Sequence, residues 1–125
     1  MCNTGYNRTK RKALPSSVFI DPPFSKVGLS EKEAIKVGYE IKVAKLPAAM
    51  IPKAIVLEKP QGLLKVIINA KTNEILGAAL FCEESYEMIN LIKLAMDSHL
   101  SYEILRDQIY THPTMSEAFN DLFNV

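Results

Sequence analysis

The sequence predicts an α+β domain in which a mainly antiparallel β-sheet is covered by helices on one side. Three observations support this class. Strand-length runs occupy the middle of the chain, no helix long enough for a crossover separates them, and the apolar period becomes helical after Cys82. With 125 residues, of which 48% are hydrophobic, the chain can form one buried core.

The first two elements are a strand and a helix. The run "SSVFI" at residues 16–20 is rich in β-forming residues and ends at "DPPF", where two prolines cannot donate to a sheet. Ser30 and Glu33 then have the spacing of a capping box, and Gly38 suits the end of a helix. We therefore predict a helix over residues 31–37.

Four further strands are predicted in the middle of the chain, because β-rich or alternating segments follow one another there. Asn73 lies in the connection "KTNE" and tolerates positive φ, so a four-residue hairpin loop is expected before the last of these strands. The predicted strands cover residues 39–46, 53–59, 62–70 and 75–82.

The remainder of the chain is predicted to be helical. Ser85 is a plausible N-cap for a helix that runs to about Ser98, with an apolar stripe from Met88 to Met96. Ser101 is a second plausible cap, for a helix of about two turns. A turn and a short C-terminal helix follow within "THPTMSEAFNDLF".

Charge and motifs exclude several classes of function. The net charge of +1 favours neither nucleic acid nor an anionic membrane, and no apolar run reaches the roughly 18 residues that span a bilayer. The chain contains no GxGxxG, P-loop, metal-ligand spacing or GxSxG. We therefore expect this domain alone to bind no cofactor and no metal.

The cysteines, Cys2 and Cys82, form no CxxC pair, which suits the reducing cytoplasm. Residues 1–15, which are basic, are expected to be a tail or the remnant of a linker.

The segment "THPTMSE" allows two interpretations. In the first, Thr114 and Glu117 form a capping box, and His112 is merely an extended turn residue before Pro113. In the second, Glu117 accepts a hydrogen bond from one ring nitrogen of His112, and the other nitrogen exchanges a proton with a thiol. Cys82 ends an apolar strand and Cys2 lies in the tail, so that thiol would have to belong to another domain or subunit.

Two blocks of the sequence resemble the C-terminal dimerisation domain of the pyridine nucleotide-disulfide oxidoreductases, a family that includes dihydrolipoamide dehydrogenase and glutathione reductase. The first block is "SSVFIDPPFSKVGLSEKEA". The second is "ILGAALFCEESYEMINLIKLAMDSHLSYEILRDQIYTHPTMSEAF", with a Leu-Gly step, a Glu-Met-Ile-Asn helix and a closing His-Pro-Thr-x-Ser-Glu. The likeness covers about residues 15–123, so residues 16–125 are expected to be the dimerisation domain.

The resemblance implies a set of roles for this chain within a longer enzyme that uses FAD and NAD(P)H. The domain would form a homodimer, and upstream FAD and NAD domains would precede it in the parent chain. His112 would manage protons at the partner's redox-active cysteine pair, and Glu117 would orient its ring. The backbone of His112 and Pro113 would approach the partner's flavin, across a peptide bond that is cis in relatives.

Details of the two blocks are closest to the branch of flavoprotein disulfide reductases linked to bacterial resistance against reactive chlorine species. The chain ends "NDLFNV", without the C-terminal cysteine pair of mercuric reductase. As a fragment of an enzyme, the isolated chain is expected to be inactive. The competing hypothesis is a self-standing binding or scaffold module without a redox role.

Overall fold

The computed structural model describes residues 13–125, so most of the predicted tail lies outside the described residues. The strands are β1 (Ser16–Val18), β2 (Phe24–Gly28), β3 (Ile41–Pro47), β4 (Leu63–Asn69) and β5 (Ile75–Phe81). The helices are α1 (Glu31–Val37), α2 (Pro52–Val56), α3 (Ser85–Asp97), α4 (Tyr102–Asp107) and α5 (Ala118–Leu122), with a 3-10 turn at Ala48–Met50.

The strands form one antiparallel sheet in the order β1-β2-β5-β4-β3. Leu64, Val66 and Ile68 of β4 are fully buried, in one core with residues of α3, α4 and α5. The alternating residue Lys65 points to the other face, where its Nζ lies 2.6 Å from Oε2 of Glu31 in α1. The predicted α+β class is confirmed, and an ion pair ties the short α1 to the face opposite the main helical layer.

The strand predicted at residues 53–59 is wrong, because the segment contains helix α2. Pro52 occupies the first turn, where its fixed φ favours a helix and its missing N–H costs nothing. Ala54 is buried, whereas the β-branched residues Ile55 and Val56 are exposed. The run of β-branched side chains, which suggested a strand, therefore does not pack into the core.

Strand β2 was not predicted. It follows two prolines and carries Ser25 and Lys26 between its apolar residues, so its alternation is weak. Antiparallel pairing with β5, from Phe24 opposite Phe81 to Gly28 opposite Gly77, places it in the sheet. Ser25 faces the core, where its hydroxyl lies 3.0 Å from that of Ser85.

The helix ends follow the predicted caps in two of three cases. The capping box of Ser30 and Glu33 is formed at α1, and Ser101 accepts a hydrogen bond from the Glu103 N–H at α4. Ser85 is not the N-cap of α3. Glu84, with φ of 59°, holds that position, while the buried Ser85 hydroxyl donates to the Pro23 carbonyl at 3.0 Å. This bond ties α3 to the segment that enters β2.

Candidate functional site in the C-terminal loop

His112 and Glu117 lie together in the loop between α4 and α5. Nδ1 of His112 is 2.9 Å from Oε1 and 3.2 Å from Oε2 of Glu117. Since a carboxylate can only accept, Nδ1 carries the proton and Nε2 is the nitrogen left to exchange one with another group. The peptide bond between His112 and Pro113 is cis, as expected from the resemblance.

The Glu117 carboxylate also holds the backbone that follows Pro113. Its Oε2 accepts the N–H of Thr114 at 2.9 Å. This bond and the bond from His112 hold the pKa of Glu117 below its usual value, with the Thr114 amide as the larger cause. Glu117 is therefore a carboxylate at neutral pH, and it serves as the acceptor for both the Thr114 amide and Nδ1 of His112.

The capping box expected between Thr114 and Glu117 is only half formed in the structure. The Glu117 side chain reaches the Thr114 N–H, but the Thr114 hydroxyl donates to the Thr111 carbonyl at 2.8 Å. Helix α5 begins at Ala118, and no side-chain hydrogen bond caps it. The capping geometry and the pairing with His112 thus occur together on one carboxylate and do not exclude each other.

Two further side chains hold the start of this loop, and sequence patterns did not identify either. Nδ2 of Asn120 donates to the carbonyls of Arg106 at 2.7 Å and Gln108 at 2.9 Å. The Tyr110 hydroxyl donates to the Leu105 carbonyl at 2.7 Å. Neither residue belongs to a motif with a known spacing, so only the folded loop reveals their contacts.

The imidazole of His112 is accessible to solvent, whereas the cysteine that lies within residues 13–125 is buried. The His112 side chain is 73% exposed, and that of Glu117 is 24% exposed. Cys82 is fully buried, and burial is the main reason that its pKa rises to about 12. A thiol with this pKa is unreactive near neutral pH. Cys82 is thus a packed residue of the core.

Within residues 13–125, no three His, Cys, Asp or Glu side chains are grouped so that they could hold a metal ion. In the same part of the chain, every helix is too short or too polar to cross a bilayer.

The chain belongs to the family of pyridine nucleotide-disulphide oxidoreductase dimerisation domains, whose family model matches residues 14–123. This match confirms the resemblance seen in the two sequence blocks. The chain is therefore a dimerisation domain of this class of oxidoreductase.

One relative is the probable pyridine nucleotide-disulfide oxidoreductase RclA of Escherichia coli, which is 52% identical over 115 residues. The match covers 92% of this chain and 26% of RclA. The structure of RclA, described as an HOCl-induced flavoprotein disulfide reductase, matches with a TM-score of 0.92 and 51% identity. This structural match covers 94% of this chain and 27% of the RclA chain.

More distant relatives agree on the family and the fold. A dihydrolipoyl dehydrogenase of Rhizobium etli is 35% identical over 113 residues, covering 90% of this chain and 24% of the relative. The structure of LpdA from Mycobacterium tuberculosis matches with a TM-score of 0.80 at 18% identity, which supports the fold alone. This match covers 87% of this chain and 24% of the LpdA chain. The chain thus spans about a quarter of the length of these relatives.

Proposed function

We propose that this domain joins two subunits of a FAD- and NAD(P)H-dependent disulfide reductase and supplies His112 as an acid–base group to the partner subunit's redox-active cysteine pair. The observation that carries the proposal is an exposed, carboxylate-paired imidazole in a domain whose described cysteine is buried and unreactive. The sulfur that His112 serves would therefore belong to another polypeptide.

The chemistry follows from the pairing. When bound in the parent enzyme, FAD and NAD(P)H would supply the two electrons that cleave a disulfide into two thiolates. A thiolate needs a proton before it leaves as a thiol, and an imidazolium can provide it near neutral pH. Glu117 fixes the tautomer by accepting from Nδ1, so Nε2 of His112 would give the proton and later take one back.

The exposed segment of His112 and Pro113 also suits a place beside the partner's flavin. Both residues are exposed, and Pro113 has no N–H, so the segment offers carbonyl oxygens to an approaching group. These are acceptors, which match the ring N–H of a flavin. We include the backbone of His112 and Pro113 as the cofactor-contacting part of the domain.

The parent chain's own FAD and NAD domains are the second partner that we propose. Opposite the main helical layer, a groove of about 480 Å³ is lined almost entirely by apolar groups, among them Val18, Ile20, Phe24, Leu63 and Phe81. Val18 and Ile20 are 53% and 56% exposed, which leaves a patch that association would cover. The patch adjoins β1, where the chain enters the domain, so the domains that precede it in the parent are its proposed occupant. We place the enzyme in the cytoplasm, where thiols stay reduced.

The decisive experiment is the His112→Ala substitution in the full-length parent enzyme, with His99→Ala as the matched control. His99 lies at the end of α3 and its Nδ1 is 3.3 Å from Glu74, so the control removes another histidine–glutamate contact. We expect His112→Ala to retain FAD and its reduction by NAD(P)H but to lose about 10²- to 10⁴-fold in disulfide turnover. Disulfide turnover within twofold of the parent enzyme would overturn the catalytic role and favour a module without redox function.

A further inference from the structure

We propose that Asn120 is a positioning residue for the acid–base pair, because its amide fixes the start of the His112 loop against the helix that follows Glu117. The inference rests on the proposed function of His112 and adds a residue that acts through it. Asn120 touches neither ring nor carboxylate in the structure. Its contacts are with the backbone that leads into the loop.

The amide of Asn120 satisfies two carbonyls at once. Nδ2 is 2.7 Å from the Arg106 oxygen and 2.9 Å from the Gln108 oxygen, so both of its hydrogens have acceptors. These carbonyls belong to the end of α4 and to the residue that follows it, where a helix leaves its last carbonyls without helical partners. An amide is the neutral side chain that can supply two donors from one nitrogen.

Asn120 stands three residues after Glu117, that is, about one helical turn along α5. The same short segment therefore binds both ends of the loop. Asn120 binds residues 106 and 108 at its start, and Glu117 binds His112 and Thr114 at its end. With both ends fixed to one turn of helix, the span between Gln108 and Thr114 is set, and His112 lies within that span.

The other anchor of the loop cannot replace this link. The Tyr110 hydroxyl bonds to Leu105, which keeps that contact within the α4 side of the loop. The Tyr110 ring packs near Phe119, with centroids 6.2 Å apart, but such packing is less directional than a hydrogen bond. Asn120 thus provides the directional contact that joins the start of the loop to α5.

A purely structural role would be that Asn120 only caps α4. Both roles predict some loss of stability on substitution, so the test must measure the pair itself. Asn120→Ala removes both donors, and Asn120→Asp keeps the size of the side chain but offers no donor to the two carbonyls. Asn124→Ala, at an exposed asparagine near the same end of the chain, is the control.

The first measurements use the 125-residue chain under conditions where each variant is folded. The ¹⁵N shifts of the His112 ring report the tautomer, and amide hydrogen exchange at Thr114 reports its bond to Glu117. We expect Asn120→Ala and Asn120→Asp to lower the fraction of the Nδ1–H tautomer and to speed Thr114 exchange about tenfold, the equivalent of one ordinary hydrogen bond. Asn124→Ala should leave both unchanged. Should Asn120→Ala fail to fold, Asn120→Ser, which keeps one donor, enters the same comparison.

The second measurement uses the full-length parent enzyme. We expect Asn120→Asp to lower kcat for disulfide reduction about tenfold with KM within twofold, because the acid–base group is misplaced while substrate binding is not. A stability loss without any change in tautomer, Thr114 exchange or kcat would overturn the inference and leave Asn120 as a helix cap. If instead His112→Ala were silent in the parent enzyme, the proposed function would fail, but the tautomer and exchange data would still decide whether Asn120 positions the pair.

Discussion

The carboxylate of Glu117 accepts the backbone N–H of Thr114 at 2.9 Å. Thr114 directly follows Pro113, whose peptide bond with His112 is cis. One side chain thus holds the end of the loop and the imidazole within it. Any change at Glu117 therefore alters both the backbone and the ring, and experiments on this residue should follow the two separately.

Glu117→Gln is expected to disturb the pair although the side chain keeps its size. A glutamine oxygen can still accept the Thr114 N–H, but an NH₂ group then replaces the second carboxylate oxygen, so Nδ1 of His112 loses its 2.9 Å acceptor and the negative charge beside it. We expect the ¹⁵N spectrum of His112 to show less of the Nδ1–H tautomer and the Thr114 amide to exchange faster. Glu87→Gln, at an exposed glutamate of α3, is the control. An unchanged ring spectrum in Glu117→Gln would mean that the carboxylate does not orient His112.

The stabilisation that Glu117 provides should depend on pH with a definite sign. Its pKa is lower in the folded chain than in the unfolded one, so the unfolded chain binds this proton first as the pH falls. The stabilisation is therefore complete above the unfolded value of about 4.3 and is lost as the pH falls through the folded value. Urea unfolding of the unsubstituted 125-residue chain and of its Glu117→Gln variant, from pH 7 to pH 3, measures the difference in their free energies of unfolding. A difference that grows on acidification would contradict the assignment.

Phe119 is expected to be the anchor that attaches the site to the core. It is fully buried and packs against Phe123 at a centroid distance of 5.9 Å. We expect Phe119→Ala to lower the free energy of unfolding by about 3–5 kcal/mol. Ile109→Ala, at a loop residue that is 95% exposed, should change it by less than about 0.5 kcal/mol. Chemical denaturation of both variants tests the contrast, and equal losses would show that the loop is not held through Phe119.

Cys82 should resist thiol reagents while the chain is folded. Burial raises its pKa to about 12, so the reactive thiolate is scarce and shielded at pH 8. Iodoacetamide labelling followed by peptide mass spectrometry should modify Cys82 only after denaturant is added. Rapid labelling of Cys82 in the folded chain would reopen the possibility that His112 serves a thiol of its own domain.

Elements with local signals could be predicted from the sequence, and elements defined by distant partners could not. Helix α1 has its capping box and its terminal Gly38 within nine residues of sequence, and both are formed as expected. Strand β2 has no such signal, since its place depends on pairing with β5, about fifty residues away. In α2, Pro52 and the burial of Ala54 outweigh the β-branched pair that suggested a strand.

The same distinction applies to the candidate site. His112 and Glu117 are five residues apart and belong to a motif, so their meeting was predictable. Asn120 and Tyr110 bind backbone carbonyls. Because every residue has a carbonyl, the sequence does not indicate which carbonyls these two side chains bind. The position of Ser85 could not be predicted for a related reason: its hydroxyl bonds to Pro23, 62 residues earlier, instead of capping its own helix.

The hydrogen bonds described above for the His112 loop join residues that all lie between Leu105 and Asn120. This sixteen-residue segment is therefore a candidate for transplantation into another dimerisation domain, provided that the host offers an apolar cavity for Phe119. A chimera of this kind would keep its host's sheet and exchange only the segment that contains the proposed acid–base pair. Under the proposed function, natural or laboratory recombination of this segment would alter the acid–base properties of such an enzyme while leaving the sheet of its dimerisation domain unchanged.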